Sequence, residues 1–133
     1  EDLPNMKLSR EGAAIVVANG MLYVLGGYNE HDHVRASAQR FDPMTMSWSS
    51  IPSMHERRGH PCAVAFKGCI HVFGGYDNRY NSLASAELFD PSCCLWHRLP
   101  PMSSRRGYAA SSIIDNRLFV LGGEGENDSV VDS

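Results

Sequence analysis

The chain has 133 residues, 43% of them apolar and 20% charged, a composition that suits one globular unit. A net charge of −3 and the lack of any basic run leave no electrostatic footprint for nucleic acid. The longest apolar run, Ala13 to Ala18, is too short to span a bilayer, so no membrane role is expected.

The first segment contains Pro4 and Met6 and passes through Arg10 into an apolar run expected to be a strand from Gly12 to Ala18. The run does not alternate, which fits a strand covered on both faces. Asn19-Gly20 then marks a two-residue hairpin turn, because both residues tolerate the positive φ it needs. A second strand, Met21 to Leu25, ends at Gly26-Gly27. A polar loop, Tyr28 to Arg35, leads to a third strand over Ala36 to Phe41, broken by Asp42-Pro43. A short fourth strand carries Trp48 and ends at Ile51-Pro52.

The pattern then begins again, 48 residues on. Strands are expected at Gly59 to Phe66, at Cys69 to Phe73 up to Gly74-Gly75, at Ala84 to Phe89, and around Trp96. A third copy gives strands at Gly107 to Ile114 and Arg117 to Leu121, then Gly122-Gly123. Pro4, Pro52 and Pro100 keep the step, as do Met6, Met54 and Met102, and Arg10, Arg58 and Arg106. The repeats run over residues 3–50, 51–98 and 99–133, the last one truncated. A strict period near 50 residues belongs to folds that copy one supersecondary unit. Helical pairs do not fit, because glycine and proline interrupt every candidate helix. Four-stranded units stacked by repetition give propeller blades.

The double glycine closing an apolar strand, the aromatic-Asp-Pro that follows and the later tryptophan together resemble the kelch repeat. The likeness covers the whole chain. Phe41 and Phe89 stand where that family more often has tyrosine. The resemblance implies an all-β propeller fragment of four-stranded antiparallel blades, about 2.5 to 3 of them in 133 residues. The chain opens on Glu1 rather than Met and is expected to be a piece of a longer protein. Kelch rings hold about five to seven blades, so open blade edges and uncovered apolar faces are expected. They would favour self-association, most simply as a dimer.

Comparing the copies sorts residues by role. What recurs serves packing and turns: Gly26, Gly27, Gly74, Gly75, Gly122 and Gly123 as strand exits, Trp48 and Trp96 between blades, and the methionines as gap-fillers. The recurring arginines have two readings. They are either braces on backbone carbonyls of the neighbouring blade or a basic rim that grips carboxylates bidentately.

What varies is free for recognition. The loops after the double glycine carry Tyr28, Arg35, Tyr76, Arg79 and Tyr80, and the third loop runs over Glu124 to Asp128. Together with Arg58 and Arg106 these tyrosines and arginines are the candidate partner-binding residues, expected on one exposed face and suited to an acidic peptide segment.

Other chemistry is poorly supported. His31-Asp32-His33 beside Glu30 gives only a partial metal-ligand set, so no metal or cofactor is expected. No catalytic nucleophile or paired-carboxylate pattern is visible. Cys62, Cys69, Cys93 and Cys94 do not recur between copies; Cys62 is expected to face Phe73 across its hairpin, and Phe66 to face Cys69. That argues against a disulfide framework and for a reducing compartment. The sequon Asn127-Asp128-Ser129 is expected to be idle.

The resemblance implies a protein-interaction module and no enzyme. Kelch propellers often form the substrate-recognition end of chains that recruit a cullin-RING ubiquitin ligase. Binding to actin or another cytoskeletal partner is the alternative. A kelch-fold metal oxidase or sugar isomerase is a third, which needs a converging ligand or acid/base set that the sequence does not assemble. The expected location is cytoplasmic, with nuclear or cytoskeletal association open to it.

Overall fold

The computed structural model describes residues 2–125. They form two four-stranded antiparallel sheets and one hairpin. The first sheet holds β1 (Ala14–Ala18), β2 (Met21–Leu25), β3 (Ala38–Asp42) and β4 (Ser47–Ile51) in chain order. The second holds β5 (Cys62–Phe66), β6 (Cys69–Phe73), β7 (Ala86–Asp90) and β8 (Leu95–Leu99). The hairpin joins β9 (Ala110–Ile114) to β10 (Arg117–Leu121). The end of the third loop and the sequon, from residue 126 onward, lie outside the described residues.

The strands sit where apolar runs and turn residues place them, trimmed by two or three residues at the start of β1, β5 and β9. One-residue bridges precede each strand, Glu11 with Tyr28, Gly59 with Tyr76 and Gly107 with Glu124. Asn19-Gly20 and Lys67-Gly68 turn with positive φ at both positions, as do Asp115 and Asn116. These tight turns fix the register. Cys62 faces Phe73 and Phe66 faces Cys69, as the turn length requires.

β1 lies beside β5, and β5 beside β9, so the three first strands run along one side of the stack. Between the first two sheets lies a core of Leu25, Tyr23, Ile70, Val72, Phe89, Met54 and Trp96. Tyr23 and Phe89 meet across it with ring centroids 6.2 Å apart. A second, smaller core joins the second sheet to the hairpin through Cys62, Phe73 and Ala86, with Met102, Leu118 and Val120 against them. Apolar residues remain uncovered at the two ends of the stack. Ile15 and Val17 on β1 are 65% and 67% exposed, and Ile114 and Leu121 on the hairpin 52% and 44%.

Each tryptophan ties its fourth strand to the segment that precedes its own blade. Trp48 Nε1 donates to the Pro4 carbonyl at 2.7 Å, and Trp96 Nε1 to that of Pro52 at 2.7 Å. Each also packs its ring on the phenylalanine of the Phe-Asp-Pro turn, at 5.2 Å in both copies. Trp96 is buried, whereas Trp48 is half-exposed. Trp96→Ala should therefore cost about 3–5 kcal/mol in urea unfolding, and Trp48→Ala clearly less. A cost below about 1 kcal/mol for Trp96→Ala would show that its ring fills no inter-blade space.

Candidate functional site

The recurring arginines lie at the junctions between blades. The Arg58 Nη1 donates to the carbonyls of Gly74 and Ser85, each at 2.9 Å. Its Nε and Nη2 reach Glu87 Oε2, forming an ion pair at 3.0 Å in which both side chains are 1% exposed. The Glu87 carboxylate also accepts the backbone amide of His55 at 2.7 Å. Arg10 repeats the scheme on Gly26 and Ser37, with Gln39 in place of the carboxylate. Burial, reinforced by nearby Arg35, lowers the Arg10 pKa to about 10. Arg106 donates to the Gly122 carbonyl at 2.8 Å.

The backbone of each arginine faces the other way. Gly27 donates its amide to the Arg58 carbonyl at 2.9 Å, and Gly75 donates to that of Arg106 at 2.8 Å. A β-carbon on Gly26 would collide with the Arg58 carbonyl oxygen, and one on Gly74 with that of Arg106. Both glycines also have positive φ, 65° and 60°. The first glycine of the pair is therefore required by the arginine of the next blade, and the second by the close backbone of its own, Glu11 and Ala13 against Gly27, and Gly59 and Pro61 against Gly75.

The loops after the double glycines differ in sequence but share one backbone. Asn29 Oδ1 accepts the amides of His31 and His33, and Asp77 Oδ1 those of Arg79 and Asn81. Such Asx turns hold the tip rigid whatever side chains it carries. Asp32 and Tyr80 occupy the same left-handed position, at φ 58° and 60°. The two loops also touch, because Asn78 Oδ1 accepts the Val34 amide at 2.8 Å.

Between these loops and the arginine junctions opens a hollow of about 310 Å³. Three sets of positions one repeat apart build it. Tyr28, Tyr76 and Glu124 follow the double glycines; His60 and Tyr108 follow Arg58 and Arg106 by two residues; Asp32 and Tyr80 come from the loop tips, and Glu11 adds a further carboxylate. Tyr28 lies over Gly59 and Tyr76 over Gly107, so closely that a β-carbon on either glycine would strike the ring. Tyr76 Oη donates to Glu124 at 2.8 Å. The rings of His60 and Tyr108 meet at 4.2 Å, those of Tyr28 and Tyr80 at 6.3 Å and nearly parallel. Burial pushes the His60 imidazole below its ordinary pKa, with Glu11 opposing, and pushes the Tyr28 hydroxyl up.

The structure brings Tyr28, Tyr76 and Tyr80 together and separates the arginines from them. Arg58 and Arg106 do not reach the exposed face, since the two residues are 1% and 4% exposed and their guanidinium groups are bound to backbone carbonyls. Arg35 turns its Nε to the Ser9 carbonyl at 3.1 Å. Arg79 is exposed and lines a separate hollow with Arg57 and Asp77. An acidic ligand thus loses two of the cations expected to hold it. Glu11, His60 and Tyr108 were not picked from the sequence, and Asp32 and Glu124 were placed in the varying loops without being named as partner-binding residues. The pair His60 and Tyr108 does carry a signal there, since Gly12, His60 and Tyr108 occupy one repeat position and differ in every copy. Among the described residues, no three histidine, cysteine or acidic side chains converge to hold a metal. No helix among them is long and apolar enough to cross a membrane.

A family model described as the KLHDC2/KLHL20/DRC7 Kelch-repeats domain matches residues 8–133. An F-box/kelch-repeat protein of Arabidopsis thaliana is 35% identical over 54 residues, covering 41% of this chain and 13% of that protein. The solved structure of YjhT superposes with a TM-score of 0.84 at 15% identity, covering 97% of this chain and 43% of that one. The chain thus spans less than half the length of either.

The junctions differ in one measurable respect, because Glu87 is charged and Gln39 is not. Glu87→Ala should cost about 3–5 kcal/mol by leaving a buried guanidinium without its counter-charge. Gln39→Ala should cost about 1.5–3 kcal/mol, the loss of a neutral acceptor. Urea unfolding of both variants checks the order; equal or reversed costs would remove the carboxylate from the junction's energetics.

Proposed function

The chain belongs to the kelch-repeat family, and from that premise we propose that it is a protein-interaction module whose loop-bearing face recognises substrates for a cullin-RING ubiquitin ligase. The observation that carries this reading is a division of labour between residues. The recurring arginines and glycines join blades, while Asp32, Tyr80, His60 and Tyr108, at positions that vary between copies, meet at one hollow. Aromatic residues held on rigid loops suit a recognition surface, because they bury large area at low entropic cost. The repeats would run over residues 3–50, 51–98 and 99–133. The uncovered apolar ends, Ile15 and Val17 at one and Ile114 and Leu121 at the other, are where further blades or a second copy would pack. The link to a ligase concerns the whole protein, of which this chain would supply the recognition end.

Affinity purification of the full-length protein from cells tests the reading, with wild type compared against the Arg79→Ala/Tyr80→Asn double variant. Asn is chosen because Tyr80 sits at φ 60°, where asparagine is tolerated. Wild type should recover cullin and RING subunits together with a set of further proteins. The variant should keep the ligase subunits and lose at least part of that set. Identical recovery by a folded variant would remove the loop face as the recognition surface, and the absence of cullin from both would remove the ligase.

A further inference from the structure

Four of the five tyrosines in the chain line the hollow between the loops. Their rings present negative π-faces, and Glu11, Asp32 and Glu124 add carboxylates at its wall. Among the described residues no lysine or arginine lines it. His60, whose imidazole burial keeps below its ordinary pKa, supplies an aromatic face with little positive charge. An anion entering this space would meet three carboxylates and no cationic side chain, with tyrosine hydroxyls and one imidazole N–H as its side-chain donors. An uncharged apolar group would strip water from carboxylates and give them nothing in return. A cation gains from both, from the ring faces and from the acidic wall. The volume, about 310 Å³, fits the head and stem of one side chain rather than a folded element.

We propose that this well takes the basic side chain of a partner protein, the ammonium or guanidinium of a lysine or arginine, between the tyrosine rings and the carboxylates of Glu11 and Asp32. The proposal rests on the reading of this face as protein-binding and names what it selects. It replaces the acidic segment expected from the arginine count, because Arg58 and Arg106 spend their donors on Gly74, Ser85 and Gly122. Selection comes from shape as well as charge. Tyr80 and Tyr108 are 66% and 57% exposed and form the open mouth, while Tyr28 and Tyr76 are 8% and 7% exposed and form the floor. The floor is fixed by Gly59 and Gly107 beneath it and by the Tyr76–Glu124 hydrogen bond, so the well is formed before any ligand arrives.

The test is a titration of the full-length protein, with tyrosine rings isotopically labelled and followed by NMR. The probes are the N-acetyl amides of arginine, lysine, trimethyllysine, citrulline and glutamate. Arginine and lysine should bind saturably and shift the rings of Tyr28, Tyr80 and Tyr108. Citrulline, the neutral isostere of arginine, should bind at least about tenfold more weakly, as expected when the cation–π and ionic terms are removed, and glutamate should leave the rings unmoved. Trimethyllysine binding as well as lysine would support recognition of charge by ring faces rather than of N–H donors by carboxylates. Tyr108→Asn and Asp32→Asn should each weaken arginine binding by about two- to thirtyfold. Both positions have positive φ, 53° and 58°, which asparagine accepts, so the fold should survive and circular dichroism can verify it. Citrulline binding equal to arginine, or folded variants that bind like wild type, would overturn the proposal. Those results would leave the protein-binding reading intact, since partner recovery from cells is judged separately on the Arg79 and Tyr80 variant.

Discussion

The Arg58 guanidinium, almost wholly buried, donates to the Gly74 and Ser85 carbonyls and the Glu87 carboxylate of its own blade. Its backbone carbonyl meanwhile receives the Gly27 amide of the blade before, and its amide donates to the Arg35 carbonyl there. One residue thus satisfies polar groups on both sides of a junction that water does not reach. Buried carbonyls left unpaired would cost about 1–3 kcal/mol each. A planar fork with five donors is the side chain best able to serve several acceptors at once. Arg10 and Arg106 use the same fork on Gly26 and Gly122. The spacing of the repeat follows, because arginine, double glycine and the segment leading into the third strand meet at one point in the first two copies.

This junction explains what the rest of the molecule is free to do. With strand exits pinned by arginine and glycine, the loops between them leave the sheet from the same place at the same angle. Asn29 and Asp77 then turn each loop back on itself, and its tip can change without moving the frame. Asp32 and Tyr80 are therefore alternatives at one geometric position, as are Gly12, His60 and Tyr108 at another. The hollow is a composite of three copies of the same position set, filled by different side chains. Its negative wall and aromatic lining are a matter of those substitutions alone.

Strands, turns and blade order were legible because each depends on local chemistry. Asn19-Gly20 and Lys67-Gly68 fix hairpin registers, and the register fixes that Cys62 meets Phe73. The recurrence of the tryptophans marked them as packing between blades, and Trp96 does lie in the core between the first two sheets. The partner of the arginines was only half legible. Bracing on carbonyls of the neighbouring blade was one of two readings, but the carbonyls are those of the arginine's own blade, and nothing local links Arg58 to Glu87, which lies 29 residues away in sequence. The hollow was less legible still. Tyr28, Tyr76 and Tyr80 were found because they sit in varying loops. His60 and Tyr108 were not, because they follow a recurring arginine and look like part of a strand. Only the left-handed φ at both, 48° and 53°, turns them out of the ladder. Glu11 enters through an isolated bridge to Tyr28, which no local pattern marks, whereas Glu124 follows the third double glycine as Tyr28 and Tyr76 follow the first two.

The most direct measurement is the unfolding free energy of Arg58→Lys against wild type, with Arg58→Ala as reference. Lysine keeps the charge and much of the stem but loses the planar fork. If the fork holds the junction, Arg58→Lys should lose at least about 2 kcal/mol, the scale of one charged hydrogen bond, and lie closer to alanine than to wild type. Wild-type stability in Arg58→Lys would contradict the account, since charge alone would then suffice and the carbonyl contacts of Gly74 and Ser85 would be incidental.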